Sequence, residues 1–207
     1  MVSSKRLSAR TRESGSERRA ELLAIAAELF ATRGFLATTV RDIADAAGIL
    51  SGSLYHHFDS KESMVDEILR EFLDDQRRTN ERVVREAADP RSAITELIRQ
   101  AFGALLRHPA AIAIFQNESK HLAQFDRFDY LPTVADEFED TWIEALHAGQ
   151  QAGVFREDLD LKLTYRFIRD TVWTAVHWYD PQGKHSPQAI AEQYITILCN
   201  GIVSPEE

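Results

Sequence analysis

A single cysteine, Cys199, excludes an internal disulfide. It sits in an apolar run with Tyr194, Ile195, Ile197 and Leu198, where a small buried hydrophobe is the expected reading. No apolar run approaches the roughly 18 residues that a membrane span needs. The first 19 residues are polar and basic, with no apolar stretch ahead of a cleavage-like site. That predicts neither signal peptide nor anchor, and hence a cytoplasmic protein. Motifs that carry enzyme chemistry are missing too: there is no HExxH, no Cys/His cluster at metal spacing, no glycine-rich phosphate loop and no GxSxG elbow. His56 and His57 are adjacent, so on a helix they point about 100° apart and do not suit a shared metal. Neither an enzyme, a metal nor a cofactor is therefore expected. Alternating β-branched runs, which a sheet would require, are also lacking, and the long segments all read with helical period.

The fold class that follows is all-α, with about nine helices. The net charge of -9 argues against nucleic acid only if it is evenly spread, and it is not. Residues 1–62 carry nine Lys/Arg against eight Asp/Glu, leaving 15 against 25 in the rest. At the front, Lys5, Arg6, Arg10, Arg12, Arg18 and Arg19 face only Glu13 and Glu17. We read residues 1–15 as a disordered basic arm, either a solvated tail or a contact to phosphate or minor groove.

Ser16 reads as the N-cap of a first helix with an apolar stripe at Leu22, Ile25/Ala26 and Leu29/Phe30, ended by Gly34 with Phe35 closing behind. Ser60 caps a long helix that runs without Gly or Pro to about Glu86, roughly 35–40 Å of connecting rod. Asp89-Pro90, His108-Pro109, Leu131-Pro132, Gly153, Asp180-Pro181 and Ser186-Pro187 then punctuate five further helices. The last two are apolar on more than one side. One carries Leu161, Leu163, Phe167, Ile168, Val172, Trp173, Val176 and Trp178, and the other has stripes at Ile190/Tyr194/Ile197 and Ala191/Ile195/Leu198. A helix apolar all round needs cover all round, which in a chain of this size implies a subunit interface.

The stretch between Thr38 and Phe58 has the pattern of a helix-turn-helix. Thr39 with Asp42 three residues on forms a capping box, Ile43, Ala44 and Ala47 face inward, Gly48 supplies a left-handed turn and Ile49 fills the angle. A second helix is expected over Ser51–His57, with Leu54 and Phe58 inward and Ser51, Gly52, Ser53, Tyr55 and His56 outward. Small and hydrogen-bonding residues are what a major-groove reader needs. An ordinary helical hairpin without DNA, in a helical ligand-binding protein, has the same geometry.

Glu21 to Met64 resembles the amino-terminal domain of the TetR family of bacterial one-component repressors. The resemblance rests on Arg33-Gly34-Phe35, Thr38-Thr39-Val40-Arg41-Asp42-Ile43-Ala44, Ala47-Gly48-Ile49, Ser53-Leu54-Tyr55-His56-His57-Phe58 and Lys61-Glu62. It implies a helix-turn-helix domain at 16–59, a ligand-binding and dimerisation domain at 60–207, and a homodimer joined through its last two helices on a palindromic operator in double-stranded DNA. It further implies DNA contacts from Thr39, Arg41, Ser51, Gly52, Ser53, Tyr55, His56 and Lys61, with Thr39 and Lys61 on phosphate and Ser51, Ser53 and His56 toward base edges.

In the rear domain, Arg169 stands four residues before Trp173 in a largely apolar helix, and a charge there needs an anionic partner. Asp170 or an acidic residue across the interface would make it structural; alternatively it receives a phosphate or carboxylate of a ligand, with Trp173 beside it. Phe102, Phe115, Gln116, Phe138 and Trp142 are candidates to line the rest. The runs AIFQNESKHLA and YRFIRDTVWTAVHWY are similar to those of the actinobacterial steroid-catabolism repressors of the family, which implies an acyl-CoA inducer from steroid ring degradation. A fatty acyl-CoA or a lipophilic drug is the alternative.

Overall fold

The computed structural model describes the backbone of residues 3–200 and the side chains of residues 16–200. Among these the chain is helical and contains no strand. The order is α1 Ser3–Arg33, α2 Val40–Ala46, α3 Ser51–Leu54, α4 Lys61–Glu86, α5 Pro90–Arg107, α6 Pro109–Leu122, α7 Tyr130–Gln151, α8 Leu161–Thr174 and α9 Pro187–Asn200, with 3-10 turns at Asp126–Phe128 and Ala175–His177.

Local chemistry explains most boundaries. The Ser60 hydroxyl accepts from the Ser63 N–H, and Asp89 accepts from the Ser92 N–H ahead of Pro90. Gly34, at φ 84°, ends α1 in the left-handed region, and Gly48, at φ 65°, makes the turn out of α2. Two boundaries differ from the sequence reading. α1 begins at Ser3, so Ser16 is not its N-cap. Glu17, Arg18, Arg19, Ala20 and Glu21 are strong helix formers, and they carry the helix across this position. The basic arm placed at 1–15 falls on residues whose side chains lie outside the described ones. Secondly, α3 has four residues rather than the expected seven, Ser51–His57. Beyond Leu54 the chain turns, with the His57 and Phe58 N–H groups both donating to the Leu54 carbonyl at 2.9 and 3.1 Å. Burying both Leu54 and Phe58 while swinging the backbone toward the Ser60 cap ends the helix there.

α5 is the central helix of the rear body, packed against α4, α7, α8 and α9. Its Phe102 is buried and meets the Tyr194 ring edge-on at 6.0 Å. α1 packs on α2, α4 and α6, so α6 reaches both the front helices and the rear ones. At that junction Glu118 of α6 accepts a hydrogen bond from the Phe35 N–H at 3.1 Å. No helix among the described residues is long and apolar enough to cross a membrane. Cys199, expected to be buried, is exposed on α9 of the single chain, because α9 turns only part of its apolar surface toward α5.

Candidate functional site

The front helices present one polar face. At the start of α2, Thr39 accepts from the Asp42 N–H at 3.1 Å and its own N–H donates to Asp42 Oδ2 at 2.8 Å, completing the capping box. The Thr39 hydroxyl also donates to Asp42 Oδ2, and this donation first, with that of the Thr39 N–H, holds the Asp42 carboxyl below its ordinary pKa. Thr39 therefore fixes the helix start as well as bordering the face. Arg41 projects from the next turn with its side chain 84% exposed, loosely paired with Asp45 at 3.7 Å.

Ser51, Gly52 and Ser53 open α3, with Tyr55 and His56 exposed on the following turn. Among the described residues, Ser51, Ser53, Tyr55 and His56 have no side-chain hydrogen-bond partner. A Cβ added at Gly52 would meet nothing within 4 Å, so nothing inside the chain calls for glycine there. One residue that the sequence pattern does not single out joins this surface at the N-cap of α3: Leu50, 80% exposed. An apolar residue exposed to that degree beside a hydrogen-bonding helix suits a thymine methyl.

Three cations are more engaged than sequence suggests. Arg18 donates to the Ala47 carbonyl at 3.1 Å, and Arg19 pairs with Glu67 and lies 4.5 Å over the Phe58 ring. Both tie α1 to the helix-turn-helix, where the sequence reading counted them with the unpaired basic charge at the front of the chain. Lys61 donates to the Phe35 carbonyl at 2.9 Å and the Thr38 carbonyl at 3.1 Å, with its ammonium 4.2 Å from the Phe35 ring centre. Two of its three N–H donors thus hold the 35–38 loop to α4, and any phosphate contact falls to the third.

The rear body contains a cavity of about 460 Å³ between α4, α6, α7 and α8. Of the residues put forward from sequence, Phe115, Gln116, Phe138, Trp142, Arg169 and Trp173 line it together. Phe102 does not; it belongs to the α5–α9 core described above. Trp173 meets the buried Phe72 ring edge-on at 5.9 Å, and Trp142 packs against Tyr165 at 6.2 Å. Burial pushes the Tyr165 hydroxyl pKa up to about 12, so it stays protonated. Arg169 is half-exposed, bonds its neighbour Asp170 at 2.8–2.9 Å, and lies 5.6 Å over the Tyr165 ring. Lys120, Asp136, Glu139 and Asp170 supply the other charges of the lining. Sequence reasoning passed over the α4 wall, which carries Gln76 and Asn80. Both are buried, on the inward side of α4.

Residues 22–68 match the family described as bacterial regulatory proteins, tetR family, and residues 87–202 match the tetracyclin repressor-like C-terminal domain. The chain is 53% identical over 190 residues to the HTH-type transcriptional repressor KstR2 of Rhodococcus jostii strain RHA1, covering 92% of this chain and 93% of the relative. It is 48% identical over 187 residues to KstR2 of Mycobacterium tuberculosis strain H37Rv, covering 90% and 94%. The solved structure of the ketosteroid transcriptional regulator KstR2 of Mycobacterium tuberculosis superposes with a TM-score of 0.87 at 47% identity, over 91% of this chain and 96% of that one. The helix-turn-helix, the all-helical rear body and these relatives agree: the chain belongs to the TetR family and is a transcriptional repressor rather than an enzyme.

Proposed function

We propose that this repressor works in the cytoplasm as a homodimer on a palindromic operator of a steroid-degradation gene cluster, and that a CoA thioester from steroid ring breakdown releases it. The steroid assignment is supported by the likeness to a ketosteroid transcriptional regulator and by the high identity along nearly the whole chain. Dimerisation is supported by the apolar surface that α8, α9 and the turn after α8 leave uncovered: Leu163, Phe167, Trp178, Ile197 and Leu198 are each between 37% and 63% exposed. Pairing those helices with their symmetry mates as a four-helix bundle would cover them. The two copies of α3 would then face one side of the duplex roughly 34–36 Å apart. Thr39 and Arg41, with the third donor of Lys61, would position through phosphate, and Ser51, Ser53 and His56 would meet base edges, with Gly52 and Tyr55 between them.

The observation that carries the ligand reading is Arg169 at the cavity wall beside Trp173, with its sequence neighbour Asp170 as its one ion-pair partner among the described residues and the Tyr165 ring 5.6 Å away. A half-exposed ion pair of this kind is worth about 0–1 kcal/mol, so exchanging the carboxylate for a ligand phosphate opposes binding little. The cavity volume suits a carbocyclic acyl group with Trp173 beside the thioester arm, leaving the phosphates outside near Lys120 and Arg169. Because Asp136 and Glu139 also line the cavity, those two cations are the necessary anchor. In a release assay with DNA from upstream of the gene, Arg169→Ala is expected to bind DNA as the wild type does and to resist release by the acyl-CoA. A variant that fails to dimerise or to bind DNA would make Arg169 structural.

A further inference from the structure

α4 turns an apolar face inward, with Leu69, Phe72, Leu73 and Val83 buried along it. Into that face it sets two amides, Gln76 at 2% and Asn80 at 8% exposure. They are four residues apart, hence one above the other on the same side of the helix, and both line the cavity that holds Arg169 and Trp173. Gln76 Nε2 is fully buried and has no hydrogen-bond partner among the described residues.

A buried amide without a partner destabilises the fold, and a leucine or methionine would fill the same space without that penalty. Its neighbours across the cavity, Phe115, Trp142 and Trp173, offer ring faces and edges. Donors persist in such walls where an incoming group satisfies them. Resting on the reading of this cavity as the inducer site, we propose that Gln76 donates through its Nε2–H to an acceptor oxygen, a ring or chain carbonyl, on the buried part of the inducer, with Asn80 beside it. The pocket thereby distinguishes a partly oxidised carbocycle from its plain hydrocarbon counterpart. Arg169 recognises the anionic end, and Gln76 reads the oxidation state of the carbon skeleton at the other wall. Discrimination of this kind is large because an analogue lacking the oxygen leaves the donor unpaired in a desolvated wall.

The test uses the full-length protein, two CoA thioesters of one saturated bicyclic acid, one with a ring ketone and one with a methylene in its place, and titration calorimetry. The wild type is expected to prefer the ketone by roughly 10- to 100-fold. Gln76→Leu is expected to reduce that preference to about threefold or less, to bind the methylene compound as well as the wild type does, and to melt in the absence of ligand at the same or a higher temperature. Should neither thioester bind the wild type, the thioester reading falls, and 2-decalone and decalin then decide for Gln76. Preferential binding of the ketone by the wild type, lost in Gln76→Leu, supports the inference. Equal binding of the two, or no binding of the ketone in either pair of compounds, overturns it. A clear drop in the ligand-free melting temperature of Gln76→Leu overturns it as well, because the amide then serves the fold.

Discussion

Replacing Lys61 by methionine separates two roles for one ammonium. The substitution keeps an unbranched stem over the Phe35 ring but removes the charge and its two donations, to the Phe35 and Thr38 carbonyls at 2.9 and 3.1 Å. The loop it holds is the joint of the front domain: Thr38 is buried and donates to the Gly34 carbonyl at 2.8 Å, and the Phe35 N–H donates to Glu118 of α6. A charged donor to a carbonyl contributes about 1.5–3 kcal/mol when it is well buried, and a cation over an aromatic face about 0.5–1 kcal/mol. Lys61 is only partly buried, so each donation falls below that range to about 1 kcal/mol, and with the ring contact the loss is about 2–3 kcal/mol. For a chain of this size that lowers the melting temperature by roughly 5–10 °C. The assay is calorimetric unfolding beside the salt dependence of DNA affinity. The clamp role requires the lower melting temperature, and the phosphate contact proposed for the third donor requires a salt slope reduced by about one. A melting temperature within about a degree of wild type would refute the clamp and leave Lys61 a phosphate contact alone, whereas an unchanged slope would remove the phosphate contact.

Phe167→Asp should dissociate the dimer. Phe167 is 63% exposed in the single chain, and covering that surface in both copies of a two-fold interface contributes about 3–4 kcal/mol, or roughly 10²–10³ in the dissociation constant by sedimentation equilibrium; an unchanged constant places the interface elsewhere. Thr39→Ala removes the capping box and should lower the melting temperature by about 2–4 °C near neutral pH. The native Asp42 pKa is depressed, so its contribution is present above the unfolded value near pH 4 and disappears as pH falls through the lower native value. The gap between wild type and Thr39→Ala should therefore close on acidification, and a gap constant down to pH 2 would contradict the assignment.

The front domain was legible because its determinants are local. Thr39 with Asp42, Gly34 and Gly48 each specify a backbone conformation within three or four residues, and each appears where the sequence placed it. The length of α3 was not legible, since it ends where burial of Leu54 and Phe58 meets the Ser60 cap, a balance struck in three dimensions. Arg18 and Arg19 read as free charges because their partners, the Ala47 carbonyl and Glu67, lie 29 and 48 residues away. In the cavity, aromatic residues at helical spacing could be core or lining. The structure divides them, with Phe115, Phe138 and Trp142 in the wall and Phe102 against Tyr194. Gln76 carried a usable signal: an amide at the inward register of α4, between Leu73 and Val83, is where a buried polar group should have been sought.

Fluorescence anisotropy of a labelled upstream DNA fragment at low salt, titrated with the protein and then with a steroid-derived acyl-CoA, bears most directly on the whole account. It predicts binding by an even number of protomers, weakening steeply with added salt, and full release by the thioester but not by CoA alone. Absence of binding at low salt, or a complex that the thioester leaves intact while a lipophilic drug dissolves it, would contradict it.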